Sequence, residues 1–256
     1  TSLAEDGFTS PFPIQSAVIP DSLAGRDICG RAPTGSGKTL AFGIPLMARL
    51  GEAKPRRPRA LILAPTRELA EQIKQDLVPL AVAQRRWITA IYGGVGYEPQ
   101  RRAMRKGVDV VVACPGRLAD LIQEGAIGLS DVDMVVIDEA DRMADMGFLP
   151  EVRKLLDMTS SKRQTWLFSA TLDGDVAVLT RDYQNNPVRH EVGGEEETRS
   201  DARHLFWNVD HHDRLRHTAD LIAAAGPSII FCRTRHGADK VARKLAQSGI
   251  KAEAIH

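Results

Sequence analysis

Short apolar runs alternate along most of the chain with longer stretches in which apolar residues recur every three or four positions. The runs at 60–64, 88–92, 108–113, 134–137 and 165–168 are mostly Val, Ile, Leu, Ala or aromatic, and a weaker one at 27–30 leads into a glycine-rich turn. Successive side chains of a strand point to opposite faces, so an unbroken apolar run means both faces are buried. Between the runs, 67–80, 99–106, 117–123 and 150–158 have the spacing of amphipathic helices. A strand followed by a helix, repeated, predicts an α/β fold: a parallel β-sheet with helices on both faces. In such sheets ligands bind beyond the carboxyl ends of the strands.

The alternation breaks at 191–203, where Gly193-Gly194 is followed by Glu195-Glu196-Glu197 and then Ser200-Asp201. Small and charged residues without periodicity read as a linker. Its acidic run reads as a solvated connector rather than a docking site. After it come strand candidates at 204–209, 228–232 and 250–255, with helices near 214–225 and 238–247. The expected organisation is a first domain over 1–192, a linker over 193–203, and an incomplete second domain of the same architecture over 204–256. That last segment, about fifty residues, is too short to bury an independent core of this type.

Composition narrows the function classes. The chain has 256 residues, 43% hydrophobic and 26% charged, with a formal net charge of +1. These proportions are those of a globular domain, and near-neutrality confines any nucleic-acid site to a local patch. Cys29, Cys114 and Cys232 are too far apart to match a metal site, which favours reduced thiols. His211, His212 and His217 have no cysteine nearby and do not read as a zinc site. No apolar stretch approaches membrane-spanning length, and residues 1–15 lack the layout of a signal peptide. A cytoplasmic protein with no membrane association is the expectation.

The strongest chemical signal is Ala32-Pro33-Thr34-Gly35-Ser36-Gly37-Lys38-Thr39. Gly35 and Gly37 let the backbone from Thr34 to Lys38 bend until several N–H groups, including that of Ser36, face one anion. Lys38 adds a point charge for β- and γ-phosphates, and Thr39 offers a hydroxyl to Mg²⁺. Helix formers follow, so the loop also opens a helix whose positive end faces the phosphates. A second signal is Met134-Val135-Val136-Ile137 running into Asp138-Glu139-Ala140-Asp141. A strand delivering acids at its end suits a triphosphatase: Asp138 for Mg²⁺, Glu139 for the attacking water. Nucleoside triphosphate binding is the expectation.

Asp138-Glu139-Ala140-Asp141 resembles the motif that names the DEAD-box ATP-dependent RNA helicases. Further motifs stand in that family's order: Gly7-Phe8 with Pro13-Ile14-Gln15, Pro65-Thr66-Arg67-Glu68-Leu69-Ala70, Gly93-Gly94, Pro115-Gly116-Arg117 and Ser169-Ala170-Thr171. Ala32, a mismatch to the usual loop pattern, is common in this superfamily. The resemblance implies a RecA-like first domain followed by the beginning of a second, with ATP and Mg²⁺ as cofactors. It implies that Gln15 reads adenine, for which its amide has the right donors and acceptor, and that Phe8 stacks on the base. By itself Phe8 reads more often as a core residue.

The resemblance also implies that Pro65, Thr66, Arg67, Gly93, Gly94, Gly116 and Arg117 line the sugar-phosphate backbone of single-stranded or duplex RNA. Arg67 and Arg117 as plain helix and strand caps are the alternative from sequence. Cys114 stands where the family usually has Thr, and a thiol is a weak donor. Ser169 and Thr171 take a coupling role by resemblance, while helix capping by Thr171 is equally open. Residues 229–234 resemble the motif that begins the second domain's nucleotide and RNA face, which adds Arg233 and Thr234 to the RNA residues. Basic clusters at 54–59 and 101–106 read first as solvated faces. The chain stops at His256, before the family's later arginines, so these residues alone are expected to bind ATP–Mg²⁺ and RNA, hydrolyse slowly and not unwind duplexes. A nucleotide-gated RNA-binding module and a DNA-directed motor are the other readings, and protein partners are not indicated.

Overall fold

A computed structural model describes residues 9–33, 35–192 and 205–256. Within the first unit, Thr1–Arg199, helix α1 (Pro13–Leu23) leads to β1 (Ile28–Arg31), α2 (Lys38–Arg49), β2 (Ala60–Leu63), α3 (Arg67–Ala83) and β3 (Ile88–Ile91). Then follow α4 (Tyr97–Lys106), β4 (Val110–Ala113), α5 (Pro115–Gln123), β5 (Met134–Ile137), α6 (Ala140–Asp145) and α7 (Leu149–Asp157). The unit continues with β6 (Gln164–Ser169), α8 (Gly174–Tyr183) and β7 (Val188–Glu191). The seven strands form one sheet in the order β3-β4-β2-β5-β6-β1-β7, and every pair is parallel. The α/β expectation therefore holds.

Burial explains the unbroken apolar runs. In β2, Leu61 and Leu63 join Val111, Val135, Ile137 and Leu167 in a core covered by residues of α5, α7 and α8, among them Leu118, Leu156 and Leu179. The alternate residues Ala60 and Ile62 join Val112, Val136, Trp166 and Phe168 against α1, α2 and α3 through Ile14, Phe42 and Leu77. Each large side chain so buried contributes about 1.5–3 kcal/mol. Close packing of α2 on α3 depends on Gly43, where an added Cβ would lie 2.1 Å from Cδ2 of Leu77.

Topology places the motifs. β6 lies between β5 and β1, with Ile137 beside Leu167 and Arg31 beside Ser169. The loops leaving the carboxyl ends of these three strands are therefore neighbours, although the first lies more than a hundred residues before the other two in sequence. Three helices, α1, α6 and α8, and the edge strand β7 are additional to the sequence expectation.

The second unit, Ser200–His256, holds α9 (Arg214–Ala225) and α10 (Arg235–Gln247). The strands expected at 204–209, 228–232 and 250–255 do not form among its described residues, and His204 lies outside them. A strand needs a neighbour for its N–H and C=O groups, and a unit this small buries little to hold one in place. Its one buried apolar residue among those described is Leu245, while Phe206, Phe231 and Ile255 are almost fully exposed. The expected linker at 193–203 lies outside the described residues. No described helix is long and apolar enough to cross a membrane.

Candidate functional site

Gly35 and Gly37 both take the left-handed conformation, with φ of 83° and 87°. At Gly37 space is short as well: a Cβ would fall 2.6 Å from the side-chain amide nitrogen of Gln15. Gly37 is the N-cap of α2, so the helix begins with Lys38 and Thr39 directly after the turn. The Ser36 hydroxyl donates to the Pro33 carbonyl at 2.7 Å. Lys38 is buried, donates to the Ala32 carbonyl at 3.1 Å, and stands 4.0 Å from Asp138 Oδ1. Thr34 and Phe8 lie outside the described residues.

Asp138 follows β5 and is only 3% exposed. Burial pushes its carboxyl up to about 6, Glu139 adds to the rise, and Lys38 opposes it. Asp138 Oδ1 accepts the Glu139 amide at 3.0 Å. Glu139 itself sits at φ 50°, a conformation uncommon for a residue with a Cβ. Its carboxylate pairs with Arg142 at 3.2 Å. Strain of this kind persists where the surroundings fix it, and here the turn brings two carboxylates to one strand end.

Asp141 joins this turn to the end of β6. Its Oδ2 accepts the amides of Ala170 at 3.1 Å and Thr171 at 3.3 Å, and its own amide donates to the buried Ser169 hydroxyl at 3.2 Å. These hydrogen bonds join the two motifs. Ser169 accepts through its hydroxyl, and Thr171 contributes its amide, not its hydroxyl. Nor does Thr171 cap a helix: the N-cap of α8 is Asp173.

Gln15, 5% exposed, bridges α1 and the glycine turn. Its Oε1 accepts the Phe12 amide at 2.9 Å, and its Nε2 donates to the Gly37 carbonyl at 3.1 Å. One hydrogen and one lone pair of the amide remain for a ligand. A cavity of about 460 Å³ opens between the start of α2 and α3, lined by Gln15, Gly37, Lys38, Thr39 and Asp138. Phe12 also lines it and is 47% exposed. Phe12 is additional to the residues expected from sequence, where its place just before Pro13-Ile14-Gln15 is the available signal.

No cluster of three or more His, Cys, Asp or Glu suited to a metal occurs among the described residues. The chemistry of the available donors still fits Mg²⁺. Asp138 and Thr39 are hard oxygen donors that both line the cavity, and this ion takes most of its remaining ligands from phosphate and water.

The second group of motifs lies at the ends of β2, β3 and β4. Pro65 is buried, and Thr66 caps α3 by accepting the Leu69 amide at 3.3 Å. Arg67 is exposed, pairs with Glu68 at 2.8 Å, and places Nη1 3.3 Å from where a Cβ on Gly94 would be. Gly93, Gly94 and Gly116 are exposed. Burial and the Glu68 carboxylate push the Cys114 thiol up to about 11, so it stays protonated at neutral pH. Arg117 departs from expectation: its side chain is only 10% exposed and turned into the protein. In the second unit Arg233 and Thr234 are exposed, and Thr234 caps α10 by accepting the Gly237 amide at 3.0 Å.

The chain is similar to known proteins in sequence and in fold. The chain is 40% identical over 267 residues to the chloroplastic DEAD-box ATP-dependent RNA helicase 3B of Zea mays, covering 100% of this chain and 36% of that protein. It is 40% identical over 264 residues to the ATP-dependent RNA helicase DBP2 of Encephalitozoon cuniculi, covering 100% of this chain and 53% of that one. The chain thus spans about a third to a half of the length of these curated relatives. A crystal structure of a DEAD box protein from Methanococcus jannaschii matches with a TM-score of 0.70 and 32% identity, over 100% of this chain and 69% of that one. The fold is that of RecA-like helicase domains. The DEAD/DEAH box helicase family model matches residues 12–179, from the start of α1 to within α8, and the chain belongs to that family.

Proposed function

We propose that the parent protein is an ATP-dependent RNA helicase and that this chain supplies its ATP site and half of its RNA grip. The observation that carries the reading is the convergence of three loops: Lys38 within 4.0 Å of Asp138, and Asp141 bonded to the Ser169–Thr171 backbone. Lys38 leaves the Ala32 carbonyl to meet the β- and γ-phosphates, beside the N–H groups of residues 34–38. The free hydrogen and lone pair of Gln15 read the adenine edge, and Phe8 stacks on the ring. Asp138 and Thr39 hold Mg²⁺, which when bound neutralises phosphate charge. Glu139 orients the attacking water and takes its proton. Asp141 carries a change at the nucleotide to the end of β6 through the Ala170 and Thr171 amides, as coupling requires two sites joined by a physical contact.

Thr66, Arg67, Gly93, Gly94 and Gly116 form the RNA-facing surface of the first unit, with Pro65 shaping it from beneath. Their exposed glycines and the Arg67 guanidinium, tied only to the exposed Glu68, support contacts to sugar and phosphate, and so little sequence preference. Arg233 and Thr234 add the second unit's share. ATP and RNA together close the two domains, clamp one strand and separate short duplexes locally; hydrolysis reopens them. In these 256 residues the second unit lacks strand pairing among its described residues, which supports slow turnover without it. A finger arginine from such a domain raises turnover by about 10³–10⁵-fold.

Equilibrium binding of ATP and GTP to the 256-residue chain tests the nucleotide half. ATP binding preferred over GTP by at least about tenfold, and lost in Lys38→Ala, is the expected result. Equal binding of both nucleotides would remove the adenine role of Gln15, and unchanged binding by Lys38→Ala would remove the phosphate site.

A further inference from the structure

Arg117 belongs to a motif expected at the RNA backbone, yet its guanidinium packs inside the protein. Its Cζ lies 3.9 Å from the centre of the Tyr97 ring. Its Nη1 donates to the Val95 carbonyl at 2.9 Å, and its Nε stands 4.0 Å from Asp120 Oδ2. The Tyr97 hydroxyl donates to that same carboxylate oxygen at 3.0 Å. A second cation, Arg101, lies 5.2 Å from the same ring and is held by Glu124 at 2.7 Å. Ring, carbonyl and carboxylate therefore enclose one guanidinium where α4, α5 and the glycine loop at 93–96 meet.

A cation this little exposed has given up most of its water and is kept where partners replace it. Drawing Arg117 out to a phosphate would leave the Val95 carbonyl and Asp120 without it and uncover the Tyr97 ring. Arg67, on the other flank of the loop beside Gly94, is 57% exposed and has no such ties beyond Glu68. We propose that Arg117 is a positioning residue: with Tyr97 and Asp120 it staples the 93–96 loop to the start of α5, and Arg67 makes the phosphate contact of this patch. The proposal rests on the RNA reading above and adds Tyr97 and Asp120 to the residues that shape the RNA surface.

The test separates positioning from contact. For single-stranded RNA, each phosphate contact adds about 0.7 to the slope of log affinity against log salt. Arg67→Gln should lower that slope by about this amount. Arg117→Gln and Tyr97→Ala should weaken binding about three- to tenfold with the slope unchanged, and Tyr97→Phe, which keeps the ring, should retain most of the affinity. Without RNA, backbone order parameters of the 94–96 amides should fall from rigid values near about 0.85 to below about 0.6 in Tyr97→Ala. They should stay high in Tyr97→Phe. A lower salt slope in Arg117→Gln, or unchanged order in Tyr97→Ala, would overturn the proposal. If the unchanged chain bound no RNA, the RNA reading would fall, and the order parameters would still decide the staple.

Discussion

Asp138 shows how one residue's surroundings set its chemistry. A carboxylate ordinarily ionises near pH 4, and burial between Lys38 and Glu139 moves this one to about 6. The folded state therefore disfavours the charged form. The resulting cost is absent below about pH 4, grows through the interval between the two values, and is complete above about pH 6. Asp138→Asn removes the titration but leaves Lys38 without its counter-charge, so its absolute stability is not the informative quantity. Its stability relative to wild type should rise by on the order of 2 kcal/mol between pH 4 and pH 7 without Mg²⁺. Denaturant unfolding at the two pH values measures this, and a difference independent of pH would contradict it. The same scale shows what sequence could and could not tell. Gly35, Gly37 and Lys38 were legible because a left-handed turn and a point charge need those residue types. The inward turn of Arg117 was not, because it depends on Tyr97 and Asp120, which meet it only in the folded chain.

At the scale of elements, the central strands were readable because a parallel sheet covered on both faces leaves no polar positions to interrupt them. β7 was not, since Val188-Arg189-His190-Glu191 has one partly buried side chain for each exposed one and sits at the sheet edge. α1 was obscured by Pro20 inside it, and α6 is too short for a periodicity to register. Most important is the joint between α6 and the end of β6, where Asp141 accepts two amides and donates its own to Ser169. Asp141→Ala should cost about 1–2 kcal/mol of stability, because two partly solvated amides lose a charged acceptor. Nucleotide affinity should change little, since Asp141 is not among the groups lining the cavity, while RNA stimulation of turnover should fall. Thermal unfolding and ATPase assays on the one variant read both. Unchanged stimulation would show that the joint does not couple the sites.

At the scale of the molecule, the two units differ in what holds them. The first fills both faces of its sheet with its own side chains, whereas the second buries one apolar residue among those described. Removing residues 200–256 should therefore shift the main melting temperature by no more than about 2–4 °C, the equivalent of roughly 1 kcal/mol at this size. A larger loss would mean that the first unit depends on the second for stability. The central claim is that the loops after β1, β5 and β6 form an ATP site linked to an RNA surface. Single-turnover hydrolysis of ATP by the 256-residue chain, with Mg²⁺ alone, with single-stranded RNA and with DNA of the same sequence, tests it most directly. Slow hydrolysis that RNA accelerates, that DNA does not, and that Lys38→Ala abolishes is the predicted result; equal acceleration by DNA, or turnover that survives Lys38→Ala, would contradict it.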